Sequence, residues 1–318
     1  MQTALRHATS TDTGLSHFDA QGALTPARLA ALAALFADTG AVHVTQTGLA
    51  TRADLLPLMA ALGFGAAEQF SAGGRTAAAW QVKWAAPGLR HLDYYPPYLY
   101  LLPNGEIGYQ RDFPTRVMFF CETPPAFGGR TFIHAAKKLE ANLSRSTAGR
   151  KLADKVREYG LTIETGFIDR NHPQKPQNYF QSWQERFGSD DRDTALAAAQ
   201  SLTREYDSCW WLEDQGYPVL MTRITLPGFV DGYMRFPRIA ADGPALKNGF
   251  RRYPFGNGVE MTDAEKDLLK NAYTATREGY AWRQGDFILM DNIRCAHSRE
   301  AFAGPREVLV GMAGLKKL

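Results

Sequence analysis

The run Val117-Met118-Phe119-Phe120-Cys121 is apolar at every position, with no polar alternation. A strand reads that way when both of its faces are covered. Residues 285–291 have the same character, as Phe287-Ile288-Leu289-Met290 inside Gly285-Asp286 and Asp291, and a further strand is predicted over 307–312. Shorter strands are predicted at 41–45, 130–133 and 219–226. Helical signals lie between them. Thr25 followed by Pro26 gives an N-cap and a first-turn proline for a helix over 27–37, and Gly40 stops it. Helices are also predicted over 52–62, ending at Gly63, over 135–143, and over 190–204. The stretch 262–277 is amphipathic, with Thr262 as N-cap and Asp263 and Glu265 in its first turn. Pro124-Pro125 and Gly128-Gly129 mark a turn. Residues 80–100 are aromatic and broken by proline, which predicts loop and strand around a cleft.

Strands scattered between helices, without regular βαβ alternation, argue against a doubly wound sheet. The expected class is mainly β with peripheral helices (α+β), as a β-sandwich or jelly roll. No repeat, low-complexity tract or flexible linker divides the chain. A single domain over 1–318 is therefore expected, with a long polar stretch rich in Pro, Gly and aromatics at 171–257 inserted over the cleft.

Composition narrows the function classes. Hydrophobic residues are 45% and charged residues 22%, ordinary for a soluble globular chain with a sizeable core. The net charge is only +3 and no run of Lys and Arg would track a phosphate backbone, so nucleic acid is not an expected partner. No stretch approaches ~18 uninterrupted apolar residues, so no membrane-spanning helix is expected. Residues 1–10 lack the apolar core of a secretory signal. Cys121, Cys209 and Cys295 show no C-x-x-C spacing, which argues against a disulfide framework or structural zinc and fits a reducing cytoplasm. Cys121 and Cys295 sit in strand-like runs and read as buried small hydrophobes.

The candidate chemistry is a metal site with an anion clamp. Two donors at i and i+2 on a strand point to the same side. Asn104-x-Glu106 and His91-x-Asp93 both have that spacing. A non-haem iron centre takes three protein ligands on one face and leaves the other positions open. The third would come from a distant segment; His297 lies just after the apolar strand 287–290, at a strand end facing a cleft. Arg306, within Gly304-Pro305-Arg306 and before the last strand, can bind a carboxylate bidentately. Thr131, after Gly128-Gly129-Arg130, offers a hydroxyl to the same carboxylate.

These segments together resemble the taurine dioxygenase (TauD/TfdA) superfamily of iron(II)/2-oxoglutarate oxygenases, and most of all its SyrP-like branch. The likeness is carried by Asp93-Tyr94-Tyr95-Pro96-Pro97, residues 102–109, Phe119-Phe120-Cys121, Gly128-Gly129-Arg130-Thr131, residues 182–187, residues 285–292, His297-Ser298-Arg299 and Gly304-Pro305-Arg306. The resemblance implies a double-stranded β-helix. It implies Glu106 and His297 as iron(II) ligands, with Thr131, Arg299 and Arg306 holding the 2-oxoglutarate co-substrate. On this reading catalysis falls to Glu106, His297 and Arg306. The branch implies hydroxylation, desaturation or cyclisation of an amino acid or an amino-acid-derived natural-product intermediate, free or carrier-bound.

The departures matter as much. Asn104 stands where the branch has its first His, and an Asn offers only a neutral amide oxygen, a weaker donor to iron(II) than imidazole. Arg130, His134 and Pro237 also depart from the pattern. Asn104 can hold the metal less tightly, or His91 with Asp93, or His134, can replace the lost ligand. If Thr131 points inward, strict alternation points His134 outward. A further reading is a repurposed member of the fold that binds a small molecule or runs a reaction without 2-oxoglutarate. Elsewhere His43 reads as a core or edge histidine, His172 as part of a turn, and Trp210-Trp211 as packing. Arg251-Arg252, Arg235 and Arg238 could meet an anionic substrate, though their plainer reading is exposed arginine. Glu164 and Glu185 carry no motif.

Overall fold

The computed structural model describes residues 14–64, 84–86, 89–91, 97–174, 182–235 and 251–318. Along the chain run β1 (Gly14–Asp19), α1 (Pro26–Thr39), β2 (Gly40–Thr45), α2 (Arg52–Ala61), β3 (Trp84–Ala86), β4 (Leu89–His91), β5 (Leu101–Asn104) and β6 (Asp112–Thr123). After β7 (Phe127–Gly128) and β8 (Thr131–Ala135) come α3 (Ala136–Ser144), α4 (Thr147–Tyr159) and β9 (Leu161–Ile168). Next are α5 (Trp183–Phe187), α6 (Arg192–Ser201), β10 (Ser208–Asp214), β11 (Tyr217–Leu226), β12 (Phe229–Val230), β13 (Tyr233–Met234) and β14 (Arg251–Arg252). The chain continues through α7 (Asp263–Thr274), β15 (Glu278–Tyr280), β16 (Phe287–Asp291), β17 (Cys295–Arg299), β18 (Phe302–Ala303) and β19 (Glu307–Lys317).

The molecule is mostly β with helices outside. Among the described residues the large sheet has the order β1-β2-β16-β6-β19-β4-β3, and a smaller one β15-β8-β17-β5. The two share a core. On β6, Val117, Phe119 and Cys121 turn inward and meet Ile133, Ala135 and Cys295 of the small sheet. Met118 and Phe120, between them, turn outward to Leu32 of α1 and Leu55 of α2. That is why this strand is apolar at every position: one face meets the other sheet and the other meets the helices. Each such fully buried side chain contributes roughly 1.5–3 kcal/mol.

The helix signals hold, with small shifts in bounds. Thr25 caps α1, accepting from the Arg28 amide, and Gly40 ends it in the left-handed region at φ 81°. Thr51 with Asp54, and Thr262 with Glu265, form capping boxes at α2 and α7. Helix α4 was not predicted; its buried Leu152 and Val156 are spaced by four among charged residues and pack on Leu139, Leu269 and Phe255. A third sheet, β10-β11-β9-β14, carries Trp210 and Trp211. Trp211 packs edge-on to Trp183 at 5.1 Å, in agreement with their reading as packing residues. Glu164, which carries no sequence motif, is buried on β9 and paired with Arg223 and Arg252. Burial alone would raise that carboxyl, but hydrogen bonds from the two guanidinium groups hold it below its ordinary range. His172 does more than turn the chain: its imidazole is buried and meets Asp214 at 2.9 Å.

Candidate active site

β17 lies between β8 and β5, and its Cα partners set the site. His297 stands opposite Asn104 on β5 and opposite Ile133 on β8; Arg299 stands opposite Thr131. Directly opposed residues point to the same face of a sheet. Cys295, His297 and Arg299 therefore share the inward face, while Ala296 and Ser298 face outward. His297 is thus inside a strand of its own rather than in a loop after one. All five residues of β17 are buried.

Glu106 is delivered by a different device from the one its spacing suggests. β5 ends at Asn104, so strand alternation does not aim Glu106. It sits in a tight turn in which Gly108 donates to Gly105 and Gln110 donates to Ile107. Ile107 is buried with φ +54°, a conformation that a β-branched residue adopts at a cost of about 1–3 kcal/mol. Asn292 holds the turn in place. Its Oδ1 accepts from the Glu106 amide at 2.8 Å, and its Nδ2 donates to the carbonyls of Glu106 and Pro114, both at 2.8 Å. Sequence reasoning placed Asn292 only in a matching segment; its role appears when a side-chain amide meets both backbone groups of one residue.

The donors converge. Glu106 Oε2 is 3.7 Å from His297 Nε2, and the Phe119 ring packs on the imidazole at 4.8 Å between centroids. Asn104 Nδ2 donates to Gly105, while its buried Oδ1 has no hydrogen-bond partner among the described residues. Leaving a buried oxygen in that state costs about 1–3 kcal/mol, which a bound cation would remove. Carboxylate, imidazole and amide oxygen suit a divalent metal such as iron(II). Among the described residues no group of three His, Cys, Asp or Glu side chains could hold a metal; the donor that stands opposite His297 there is Asn104.

Beside this cluster lies the anion clamp. Arg306 donates from Nε to the Gly129 carbonyl and from Nη2 to Thr131 Oγ1, both at 3.3 Å. Trp282 Nε1 donates to the same hydroxyl oxygen at 3.2 Å. A hydroxyl has two lone pairs and one proton. Both lone pairs of Thr131 are taken, so its proton is left to donate, and no acceptor for it appears among the described residues. A carboxylate is the natural partner. Arg299 and Arg306 are buried and flank the Phe302 ring, at 4.8 and 5.4 Å.

His134 is not brought to the metal donors. It faces outward on β8, as alternation requires, and is fully buried. Thr276 donates its proton to the Tyr273 carbonyl, so it accepts from His134 Nδ1 at 2.8 Å; Nε2 then accepts from Ser298, whose oxygen meets Tyr100 at 2.7 Å. Both ring nitrogens are engaged. Burial pushes this imidazole down to about 3, so it is neutral. His91 pairs through its backbone with Leu309 on the large sheet, away from the small sheet that carries Asn104 and His297. Asp93 lies outside the described residues. His43 is a core histidine, 3.3 Å from Asp286, and its ring meets Trp282 edge-on. Arg252 is tied to Glu164, and Arg235, read as exposed, has its guanidinium drawn into the interior.

No family model matches the chain. It is 24% identical over 217 residues to a clavaminate synthase-like protein of Arabidopsis thaliana, covering 65% of this chain and 63% of that one. The match thus spans less than two thirds of that relative's length. It is also 24% identical over 258 residues to the dapdiamide synthesis protein DdaC of Enterobacter agglomerans, covering 73% and 71% of the two chains. Among solved structures, PvcB, described as an Fe, alpha-ketoglutarate dependent oxygenase from an isonitrile synthetic pathway, superposes with a TM-score of 0.51 at 14% identity, over 96% of this chain and 88% of that one. The fold is that of the iron- and 2-oxoglutarate-dependent oxygenases. These similarities fit the resemblance to an oxygenase family that the sequence carries.

Proposed function

We propose that the protein is an iron(II)- and 2-oxoglutarate-dependent oxygenase built on a double-stranded β-helix. One observation carries the reading: the Glu106 carboxylate and His297 imidazole converge to 3.7 Å opposite Asn104, and Thr131 and Arg299 share that inward face two residues along, with Arg306 bonded to Thr131. Glu106, His297 and Asn104 hold the metal. Thr131 and Arg306, aided by Arg299, hold the distal carboxylate of 2-oxoglutarate. When bound there, iron(II) with 2-oxoglutarate would supply oxygen activation, coupling decarboxylation of the co-substrate to oxidation of an unactivated C–H bond. The protein's own part is placement. The Asn292 clamp fixes Glu106, the Phe119 ring fixes His297, and Trp282 and Arg306 force the Thr131 proton toward the ligand. The apolar walls of Phe119, Val308 and Val310 keep water from the reacting centre.

The substrate on this reading is an amino acid or an amino-acid-derived intermediate, free or carrier-bound, in natural-product synthesis. The similarity to DdaC, a dapdiamide synthesis protein, and to PvcB, from an isonitrile synthetic pathway, supports that class. Hydroxylation is the default outcome. On this reading the single domain includes the insertion at 171–257, of which residues 175–181 and 236–250 lie outside the described residues. The three free cysteines suit a reducing cytoplasm, and among the described residues no helix is long and apolar enough to cross a membrane.

Asn104 in the first ligand position favours a second reading, a repurposed cleft that binds a small molecule or works without 2-oxoglutarate. Anaerobic titration of the metal-free protein with iron(II) and then 2-oxoglutarate separates the two. A saturable metal-to-ligand charge-transfer band supports the oxygenase. Failure of iron to bind transfers the assignment to the repurposed cleft.

A further inference from the structure

We propose that Arg235 forms a carboxylate-binding subsite of this cleft, on the side of the metal donors away from Arg306, and that the substrate enters with a carboxylate seated there. The inference deepens the proposed function and takes its metal donors as the reacting centre.

Arg235 follows β13, where its amide donates to the Gly228 carbonyl at 2.8 Å. Its side chain crosses to the turn that carries Glu106. Nη2 donates to the Gly108 carbonyl and, at 3.5 Å, to the Gln110 carbonyl. The guanidinium lies over the Phe113 ring at 4.8 Å from its centroid. Nη1 is buried and has no hydrogen-bond partner among the described residues. No carboxylate among them pairs with the group, and burial draws it down to about 10, still charged at neutral pH.

The group is not sealed in packing. It lines a small opening of about 20 Å³ together with Gly105, Phe113, Met234, Asn292 and Cys295. Gly105 stands between Asn104 and Glu106. Cys295 is two residues before His297 on the inward face of β17, whereas Arg299 is two residues after it. The opening therefore lies beside the turn that carries Glu106, and on β17 it falls on the side of His297 away from Arg299. Its volume is that of one or two water molecules, enough for a carboxylate and too little for a whole metabolite. The rest of a ligand would extend toward the metal donors. Among the described residues the lining carries no acidic side chain, so it selects the carboxylate of a substrate rather than an ammonium.

Capping the turn accounts for Nη2 and leaves Nη1 unexplained. A lysine could cap the same carbonyls as a point charge. The planar fork of arginine presents a second donor toward an anion, in the bidentate geometry a carboxylate accepts.

The test uses the full chain and a probe that needs no iron. Thermal unfolding is followed against acetate up to about 100 mM at constant ionic strength, with chloride and acetamide as controls. Arg306→Ala, in which the co-substrate clamp is disabled, is compared with the double variants Arg306→Ala/Arg235→Lys and Arg306→Ala/Arg235→Met. The expected result is that acetate raises the midpoint of Arg306→Ala, while acetamide does not. With Arg235→Lys added, the acetate concentration for half the shift rises about tenfold, as expected for the loss of a charge-assisted donor. With Arg235→Met added, the response should be lost altogether. If that variant does not fold, Arg235→Lys decides alone. An unchanged response on changing Arg235, or none in Arg306→Ala, overturns the subsite. The iron and 2-oxoglutarate band, read separately on Arg235→Lys, tells failure of the subsite from failure of the oxygenase reading: it should form as in wild type.

Discussion

Replacing Trp282 by Phe isolates one hydrogen bond. The ring stays aromatic and keeps its edge-on contact with His43 at 6.0 Å. What leaves is the indole N–H that Trp282 donates to Thr131 Oγ1 at 3.2 Å. Both residues are buried, Thr131 at 1% exposure. Loss of one buried neutral hydrogen bond costs about 1 kcal/mol of stability, with a further term for the space the smaller ring leaves. The effect on the ligand is separate. With one lone pair of Thr131 vacated, the hydroxyl is no longer confined to donating toward the co-substrate carboxylate. A loss of about 1 kcal/mol there weakens 2-oxoglutarate about fivefold. The assay is anaerobic titration of the iron-loaded protein with 2-oxoglutarate, read by the charge-transfer band. Thr131→Val removes the donor entirely and should weaken binding about tenfold. The double variant decides the argument. If Trp282 acts through the hydroxyl, Trp282→Phe adds nothing on top of Thr131→Val. Additive losses, or an unchanged affinity in Trp282→Phe, would refute the orientation of the Thr131 proton.

Three other outcomes are expected. Asn104→His should tighten iron(II) by about tenfold or more, since imidazole is the better donor, measured by competition with a chromogenic chelator; unchanged affinity would remove residue 104 from the metal. Arg306→Ala should weaken 2-oxoglutarate about tenfold to a hundredfold, as a carboxylate losing a charge-assisted partner does, with iron binding intact. His134 should make stability depend on pH. Its folded value, about 3, lies below the ordinary 6.5, so the unfolded chain binds the extra proton between them. The stabilisation is full above about pH 6.5 and is lost as pH falls toward 3, at no more than about 1.4 kcal/mol per pH unit. Urea unfolding at pH 6.5 and 5 should show a loss of up to about 2 kcal/mol in wild type and a smaller one in His134→Gln. Equal losses would place the titration elsewhere.

Much of the scaffold was legible because its causes are local. The apolar run 117–121 reports two covered faces, and Thr25-Pro26 and Thr262 announce their helices through side chains that reach no more than three residues. Glu106, His297, Thr131 and Arg306 were legible through their order and spacing, in the resemblance they carry. What escaped depends on segments that meet only after folding. Asn292 and Glu106 are 186 residues apart, and Trp282 and Thr131 are 151 apart. Nothing near either residue in the chain announces the contact. β17 was read only as a strand-like run at Cys295, with His297 left after it, because Ala-His-Ser-Arg lacks both alternation and apolar character although the strand is buried throughout; its outward polar side is covered by the His134–Ser298–Tyr100 network. Arg235 read as exposed because burial of an isolated cation leaves no mark in a sequence.

The parity of β17 gives the cleft an all-or-none quality. His297 and Arg299 occupy alternate positions of a single strand that is pinned on both sides, by β8 and by β5. A slip of that strand by one residue would carry imidazole and guanidinium out together and bring Ala296 and Ser298 in. Metal affinity and co-substrate affinity are therefore mechanically tied. A one-residue deletion within 295–299 should erase both at once, whereas length changes at 300–301, which bond to Arg130 and Gly129 beyond the donor positions of β17, should leave the metal donors in place and disturb the approach to Thr131 and Arg306.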